Sequence, residues 1–180
     1  MSFDNRDFRD LLGRFATGVA VMTAAHGETM SGITANSFSS VSLEPPLVLW
    51  SLDREAGSLR GFLDAPGFAV NFLAAEQRTV SDAFAQSGEK DWSIGDWSKT
   101  PNGHPWLAGG LGTLDCLRHS IFDGGDHLIL VGRVTSLLGP DTPKGDTNAE
   151  PGDVGRRNSQ IPDPLLYFRG GYRGIAPRDS

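Results

Sequence analysis

Residues 111–138, LGTLDCLRHSIFDGGDHLILVGRVTSLL, decide the fold. Residues 111–122 and 127–138 are two long runs of β-compatible composition, and the Asp123-Gly124-Gly125-Asp126 between them suits a tight or bulged turn. The pair reads as a β-hairpin. Working outward, residues 19–24, 31–38, 47–52 and 68–73 are shorter β-rich runs bounded by Gly, Pro and polar residues, and residues 165–169 form a last one that ends in Gly170-Gly171. Phe8, Leu11, Leu12 and Phe15 recur at helical spacing, which predicts a helix over residues 5–15 with Asp4 as its cap and Gly18 beyond its end. Residues 58–63 and 76–84 read as short connector helices, the second presenting Val80, Ala83 and Phe84 as an apolar edge. Strands dominate without strict alternation with helices, so the chain is expected to be mainly β, a closed antiparallel barrel with accessory α-helices rather than a doubly wound sheet. Residues 1–180 form one domain in this reading. Residues 139–164, with four glycines and five prolines, are expected to be a mobile or solvated loop.

The composition narrows the function classes. A chain of 180 residues with 38% hydrophobic and 21% charged residues is long enough and apolar enough for a real core. The formal charge of −6, with no cluster of Lys or Arg, argues against nucleic acid as a partner. The longest apolar runs, such as residues 47–52 and 127–131, are far too short to cross a bilayer, and the polar start has no signal-peptide core. No membrane association and a cytoplasmic location are expected. Cys116, the single cysteine, has no partner for an internal disulfide and reads as a small buried apolar side chain.

Familiar catalytic signatures are missing: there is no Walker loop, HExxH, CxxC or GxSxG, and Gly109, Gly110 and Gly112 do not complete a dinucleotide fingerprint. Three segments remain. The first is Thr34-Ala35-Asn36-Ser37-Phe38-Ser39-Ser40-Val41-Ser42, running into Leu43-Glu44-Pro45-Pro46. Its hydroxyls, carboxamide and backbone N–H groups suit a ring edge and a phosphate, although an ordinary Ser/Thr-rich strand edge has the same composition. The second is Gly124-Gly125-Asp126-His127, where a histidine beside a turn either projects into a cleft or is simply exposed. The third is Leu165-Leu166-Tyr167-Phe168-Arg169-Gly170-Gly171-Tyr172-Arg173, whose rings and cations fit either a ligand or a terminal strand. His26, His104 and His119 lack neighbouring partners of the kind a metal site needs, so no metal is expected.

Together these segments resemble the flavin reductase-like family with the FMN-binding split-barrel fold, over roughly residues 8–173. The resemblance also rests on Phe15-Ala16-Thr17-Gly18-Val19-Ala20-Val21-Met22-Thr23, on Leu47-Val48-Leu49 and on Phe68-Ala69-Val70-Asn71-Phe72-Leu73. It implies an antiparallel Greek-key split barrel, a homodimer with the flavin groove near the subunit interface, FAD or FMN as the flavin, and NADH or NADPH as hydride donor. It further implies the reductase half of a two-component system that supplies reduced flavin to a flavin-dependent monooxygenase. Carried over residue by residue, the resemblance places Thr34, Ala35, Asn36, Ser37, Ser39, Ser40, Ser42 and Leu43 at the isoalloxazine edge and phosphate. Ser58 falls near the flavin phosphate, and Phe84 and Ala85 along the cofactor tail. His127 faces the nicotinamide as a positioning and polarising residue, with Asp126, Tyr167, Arg169 and Tyr172 around it. Two departures stand out: Arg54-Glu55-Ala56-Gly57 replaces a more hydroxyl-rich run, and the 139–164 loop is long.

Two other activities fit the same fold. One is a flavin-binding storage or electron-transfer protein without NAD(P)H turnover; the other is an oxidase of the pyridoxamine phosphate type.

Overall fold

The computed structural model describes residues 3–140, 142 and 161–175, beginning with helix α1 (Asn5–Leu12). Asp4 caps it as expected, its carboxylate accepting the N–H groups of Arg6 at 2.8 Å and Asp7 at 2.7 Å. The helix stops short of the predicted end at Phe15. The N–H groups of Arg14 and Phe15 bond back only three residues, to Leu11 and Leu12, and this tightening closes the helix at Gly13. Gly18 lies instead in the short strand β1 (Thr17–Gly18).

The next elements are β2 (Ala20–His26), β3 (Thr29–Ala35), β4 (Ser39–Leu43) and β5 (Pro46–Asp53), then α2 (Leu59–Asp64), β6 (Gly67–Phe72) and α3 (Arg78–Ala85), entered through a 3-10 turn at Ala75–Gln77. After them come β7 (Trp97–Lys99), β8 (Pro105–Leu107), β9 (Gly112–Gly124), β10 (His127–Leu138), β11 (Leu166–Phe168) and β12 (Gly171–Arg173). The expected strand over residues 31–38 therefore ends at Ala35, and the serine-rich stretch after it is a strand in its own right. The expected strand over 165–169 is shorter because Arg169 takes a left-handed φ of +50° in the turn to β12. Apart from residues 139, 140, 142 and 161–164, the expected 139–164 loop lies outside the described residues.

The predicted hairpin is the spine. β9 and β10 pair along their length around the two-residue turn Gly125-Asp126, with Gly125 at φ +81°. β6 adds to β9 and β5 to β10, giving a seven-stranded antiparallel sheet ordered β3-β2-β6-β9-β10-β5-β4. Its inward faces, from Ile33 near one edge to Val48 near the other, meet in a single cluster with Met22, Val70, Cys116 and Leu130, so the sheet is rolled into a barrel. Helix α2 plugs it: Phe62 meets Trp50 edge-on at 5.0 Å, and Phe68 meets Trp50 at 5.8 Å. The curl needs Gly132, where a register shift falls and where a Cβ would lie 2.6 Å from the Phe68 ring. Cys116 is buried as expected, and burial pushes its thiol well above the ordinary range.

A second core lies outside the barrel, where α3 packs on β3 and β2 through Val80 and Phe84. Phe84 fits because Gly32 has no side chain; a Cβ there would stand 2.5 Å from the ring. The β7–β8 hairpin is clamped to the barrel by buried polar groups. The Asn71 carboxamide donates to the Val21 carbonyl and accepts from the Leu107 N–H, both at 2.9 Å, and Thr23 donates to the Pro105 carbonyl. His104 belongs to this clamp: its Nδ1 accepts the Ala25 N–H at 3.2 Å, which requires an unprotonated Nδ1.

Burial holds the pKa of His104 below the usual imidazole range, with the nearby Asp115 charge opposing it less strongly. The unfolded chain, with a His pKa of about 6.5, therefore binds the extra proton more readily than the folded one. Stability is full above that value and falls as pH drops below it, by at most about 1.4 kcal/mol per pH unit for one proton. Urea unfolding between pH 7.5 and 5 should show this loss. His104→Asn, which keeps an acceptor near the Nδ1 position, should flatten the slope; an equal slope in the variant would remove His104 as its source.

Candidate functional site

The barrel is split between its two edge strands. β3 and β4 are consecutive in the chain, yet they occupy opposite edges of the sheet, and residues 36–38 cross from one to the other. An edge exposes unpaired backbone N–H and C=O groups, and the serine-rich sequence manages them. The Ser37 hydroxyl donates to the Ser51 carbonyl and accepts the Ser51 N–H, both at 3.0 Å, and so continues the β4–β5 ladder by a side chain. Ser39 donates to the Ser40 carbonyl at 3.1 Å. Asn36 donates from Nδ2 to Thr17 Oγ1 at 3.2 Å, and Thr34 donates to the Ser81 carbonyl at 2.7 Å. Asn36, Ser37, Ser39 and Ser40 are exposed, Thr34, Ala35 and Ser42 half-buried. Leu43 lies at the far end of β4, 92% exposed and away from the crossing.

Two clefts flank this segment. A cleft of about 260 Å³ is walled by Phe15, Thr17, Ala35, Asn36, Phe38 and Phe72. Phe38 and Phe72 hold each other edge-on at 5.1 Å, so its floor is apolar and rigid while its rim carries the Asn36 carboxamide. A larger cleft of about 510 Å³ lies between Ser31 and Gly32 of β3, Gly57-Ser58 at the start of α2 and residues 88–92 beyond α3. The Ser58 hydroxyl makes no capping bond to α2. Phe84 is a correction: its ring is 0% exposed in the second core and backs the cleft instead of lining it, whereas Ala85 is exposed at the end of α3. Arg54 is committed elsewhere, binding Asp123 at 2.6 Å and the Gly125 carbonyl at 2.8 Å, and it bolts the hairpin turn to the end of β5.

That turn presents His127, half-exposed at the first position of β10. Its Nδ1 lies 2.8 Å from Asp126 Oδ1, and the hydrogen bond from His127, then its charge, hold the Asp126 carboxyl below the usual range. The other aromatic candidates are reached from the crossing by a closed circuit. Thr34 bonds the Ser81 carbonyl, and the Ser81 hydroxyl lies 2.8 Å from that of Tyr172. Tyr172 meets Tyr167 edge-on at 5.7 Å, Tyr167 pairs with Thr17 across β1 and β11, and Thr17 accepts from Asn36. Burial pushes the Tyr172 phenol up, against the Ser81 hydrogen bond, and the Arg78 guanidinium lies 5.1 Å from its ring centroid. Arg169 donates its N–H to the Gly13 carbonyl at 2.7 Å, docking the β11–β12 turn on the end of α1.

The structure thus links Thr34, Asn36, Tyr167 and Tyr172 through Ser81 and Thr17, with Tyr167 and Tyr172 in ring contact. No hydrogen bond or ring contact among the described residues links His127 to Tyr167, Arg169 or Tyr172; Asp126 is reached from that side only by the charge of Arg9 on α1. Thr17, Ser51 and Ser81 complete the arrangement, and nothing in their local sequence marks them, since each acts through a partner distant along the chain.

Comparison with known proteins matches residues 12–176 to the family model described as flavin reductase like domain. The reductase subunit HsaB of a flavin-dependent monooxygenase from Mycobacterium tuberculosis is 35% identical over 177 residues, covering 98% of this chain and 86% of its own. The FMN reductase (NADH) SmoA of Agrobacterium fabrum is 42% identical over 135 residues, covering 73% of this chain and 75% of its own. Among solved structures, the NADH:FAD oxidoreductase SgcE6 of Streptomyces globisporus, in complex with NAD and FAD fragments, superposes with a TM-score of 0.81 at 32% identity, covering 98% of this chain and 96% of its own.

Ser37→Ala removes both bonds to Ser51. At about 0.5–1.5 kcal/mol per hydrogen bond, reduced by exposure, the urea midpoint should fall with an unchanged m-value. An unchanged midpoint would mean that the side chain does not hold the crossing.

Proposed function

This chain belongs to the flavin reductase-like family, and from that premise we propose that it is an NAD(P)H:flavin oxidoreductase that supplies reduced FAD or FMN to a partner monooxygenase. The observation that carries the reading is the crossing at residues 36–38, where an exposed carboxamide and hydroxyls border an aromatic-floored cleft of about 260 Å³.

The residues fit the group. An isoalloxazine is planar, apolar at its benzenoid end and polar at its pyrimidine edge; Phe38, Phe72 and Ala35 supply an apolar wall, and Asn36 and Ser37 supply polar groups beside it. A flavin held here would supply the hydride-accepting chemistry, with a reduced nicotinamide as the donor. The work of the chain is to hold the two rings at about 3–3.5 Å and to exclude misaligned poses. Asn36, whose Nδ2 has a second hydrogen beyond the one given to Thr17, binds the polar edge with the backbone of Thr34, Ala35, Ser37, Ser39 and Ser40 and favours the electron-rich ring by hydrogen-bond donation, while the Ser37 hydroxyl, engaged with Ser51, holds the segment in place. Ser42 and Leu43 lie farther along β4, outside the lining of either cleft, while Ser58, which lines the larger cleft, and Ala85 serve the tail. His127 orients the nicotinamide, and Asp126 orients His127 through the 2.8 Å contact. Tyr167, Arg169 and Tyr172 form the opposite bank, held to the crossing by the Ser81 and Thr17 contacts.

The active form is a homodimer. Helix α1 buries none of its residues, and Phe8, Leu11, Leu12 and Phe15 are 49%, 62%, 56% and 79% exposed. An apolar stripe at this spacing needs a partner surface, and a second copy of the chain supplies it. Phe15 also walls the smaller cleft, so the partner would help to close it. No helix among the described residues is long and apolar enough to cross a membrane. The site of action is the cytoplasm, where NADH and the oxygenase partner are available.

Aerobic incubation with NADH or NADPH and added FMN or FAD should consume nicotinamide catalytically at 340 nm; flavin binding without that loss would identify a storage or electron-transfer protein instead. In the same assay His127→Ala should lower kcat/KM for NAD(P)H about tenfold, or about 1.4 kcal/mol, with flavin affinity nearly intact. Equal reduction rates at subsaturating nicotinamide would make His127 a turn residue only.

Sedimentation should give a dimer, and the paired change Leu11→Asp with Leu12→Asp should produce monomers with weaker flavin binding. A wild-type monomer with full reductase activity would remove the dimer from the account.

A further inference from the structure

The strands of the β7–β8 hairpin are only three residues each, yet the larger cleft depends on them. Trp97 of β7 meets Phe84 and Trp92 at 5.1 Å each, and Trp92 lines that cleft. Whatever fixes the hairpin therefore fixes the aromatic wall of the cleft. The loop at its tip, residues 100–104, is a closed unit: the Thr100 N–H donates to the His104 carbonyl at 2.8 Å, and the His104 N–H donates to the Thr100 hydroxyl at 3.0 Å.

That loop grips the barrel on two strands. β6 pairs with β2 over Ala20–Thr23, and beyond that pairing His104 Nδ1 accepts the Ala25 N–H as a neighbouring strand would. On β9, Asp115 Oδ2 accepts the Asn102 N–H at 2.9 Å, and Asn102 also donates to the Thr135 hydroxyl at 2.7 Å. His104 and Asp115 are both fully buried, and each keeps one polar atom without a partner, Nε2 and Oδ1. A neutral imidazole whose Nδ1 accepts carries its hydrogen on Nε2, so the two remaining atoms are a donor and an acceptor. They are matched in place as well as in kind. Thr23, Ala69 and Asp115 form one row across the sheet with the small Ala69 in the middle, and the Asp115 charge is felt at His104. The side chains that the other elements bring to this layer, Thr23, Ala69, Asn71, Thr100, Asn102 and Thr135, carry no charge, and Cys116 faces the barrel core.

We propose that His104 and Asp115 are positioning residues for the flavin site, a latch that is closed while His104 is neutral and opens when it gains a proton at Nδ1. The proton turns the acceptor for Ala25 into a second donor facing a donor. The hairpin then loses its hold on β2, the Trp97 support behind Trp92 is released, and the larger cleft loosens while the barrel stays folded. This role rests on the reading of the chain as a flavin reductase with the flavin tail in that cleft.

Amide hydrogen exchange of the ligand-free protein between pH 7.5 and 5, corrected for the intrinsic pH dependence of exchange, tests the latch, and FAD titration over the same range tests its consequence. FAD is the probe because a phosphate monoester such as that of FMN itself titrates near pH of about 6. On acidification Ala25 and residues 97–107 should lose protection while β9 and β10 keep theirs, and FAD should bind about tenfold more weakly at pH 5 than at pH 7.5. His104→Asn, which keeps an acceptor for Ala25 and cannot gain the proton, should show one FAD affinity across the range. Protection lost from residues 97–107 and from β9 and β10 together would overturn the latch and leave the reductase reading in place. So would an FAD affinity that does not change with pH, or one that falls equally in His104→Asn. Binding of neither FAD nor FMN at pH 7.5 would overturn that reading and the positioning role with it.

Discussion

The structure depends on a sheet that curls but does not close. Seven antiparallel strands roll around one apolar cluster, and the two edges, β3 and β4, are left to be joined by residues 36–38 alone. Unpaired edges are a liability in water, and here they are met by side chains that imitate backbone: the Ser37 hydroxyl takes both partners that a strand residue would offer Ser51. The same solution leaves a short run of polar groups at the surface, beside an aromatic-floored cleft. A ligand-sized site is a by-product of how the barrel ends.

Two cores hold that crossing from opposite sides. Inside, Trp50, Phe62 and Phe68 fill the barrel; outside, α3 and the β7–β8 hairpin cover β2 and β3 through Phe84 and the Asn71 clamp. Gly32 and Gly132 mark where each core presses too closely on the sheet for any side chain. The circuit from Thr34 through Ser81, Tyr172, Tyr167 and Thr17 back to Asn36 then ties the C-terminal hairpin to the crossing. The seat proposed for a flavin edge is thereby preorganised by packing that lies mostly outside it.

Much of this was legible in the sequence, for identifiable reasons. The β9–β10 hairpin is long, β-rich and broken only by a glycine-containing turn, so its pattern admits one reading. The apolar spacing from Phe8 is equally plain, although the helix closes at Leu12 before reaching Phe15, and the pattern says only that an apolar face exists, not that the face stays exposed in one chain. The hydroxyls of residues 39–42 suit a ligand and a Ser/Thr-rich strand edge alike; they form the edge strand β4, whose serines need no apolar alternation. The β7–β8 hairpin was not foreseen, its strands being only three residues each. His127 and Asp126 are neighbours in sequence and could be paired by inspection. Thr17, Ser51 and Ser81 act across separations that no local pattern encodes, and Phe84 was given a surface role that its burial against Gly32 denies it.

The central claim is that the chain crossing the split of the barrel is the seat of the flavin ring. Amide hydrogen exchange over residues 34–40, measured with and without saturating FAD, addresses it most directly, because these amides lie at an unclosed edge and report their own occupancy. The account predicts marked slowing that centres on this segment when the flavin is bound. Exchange here unchanged by bound flavin, with protection arising elsewhere on the sheet, would contradict it.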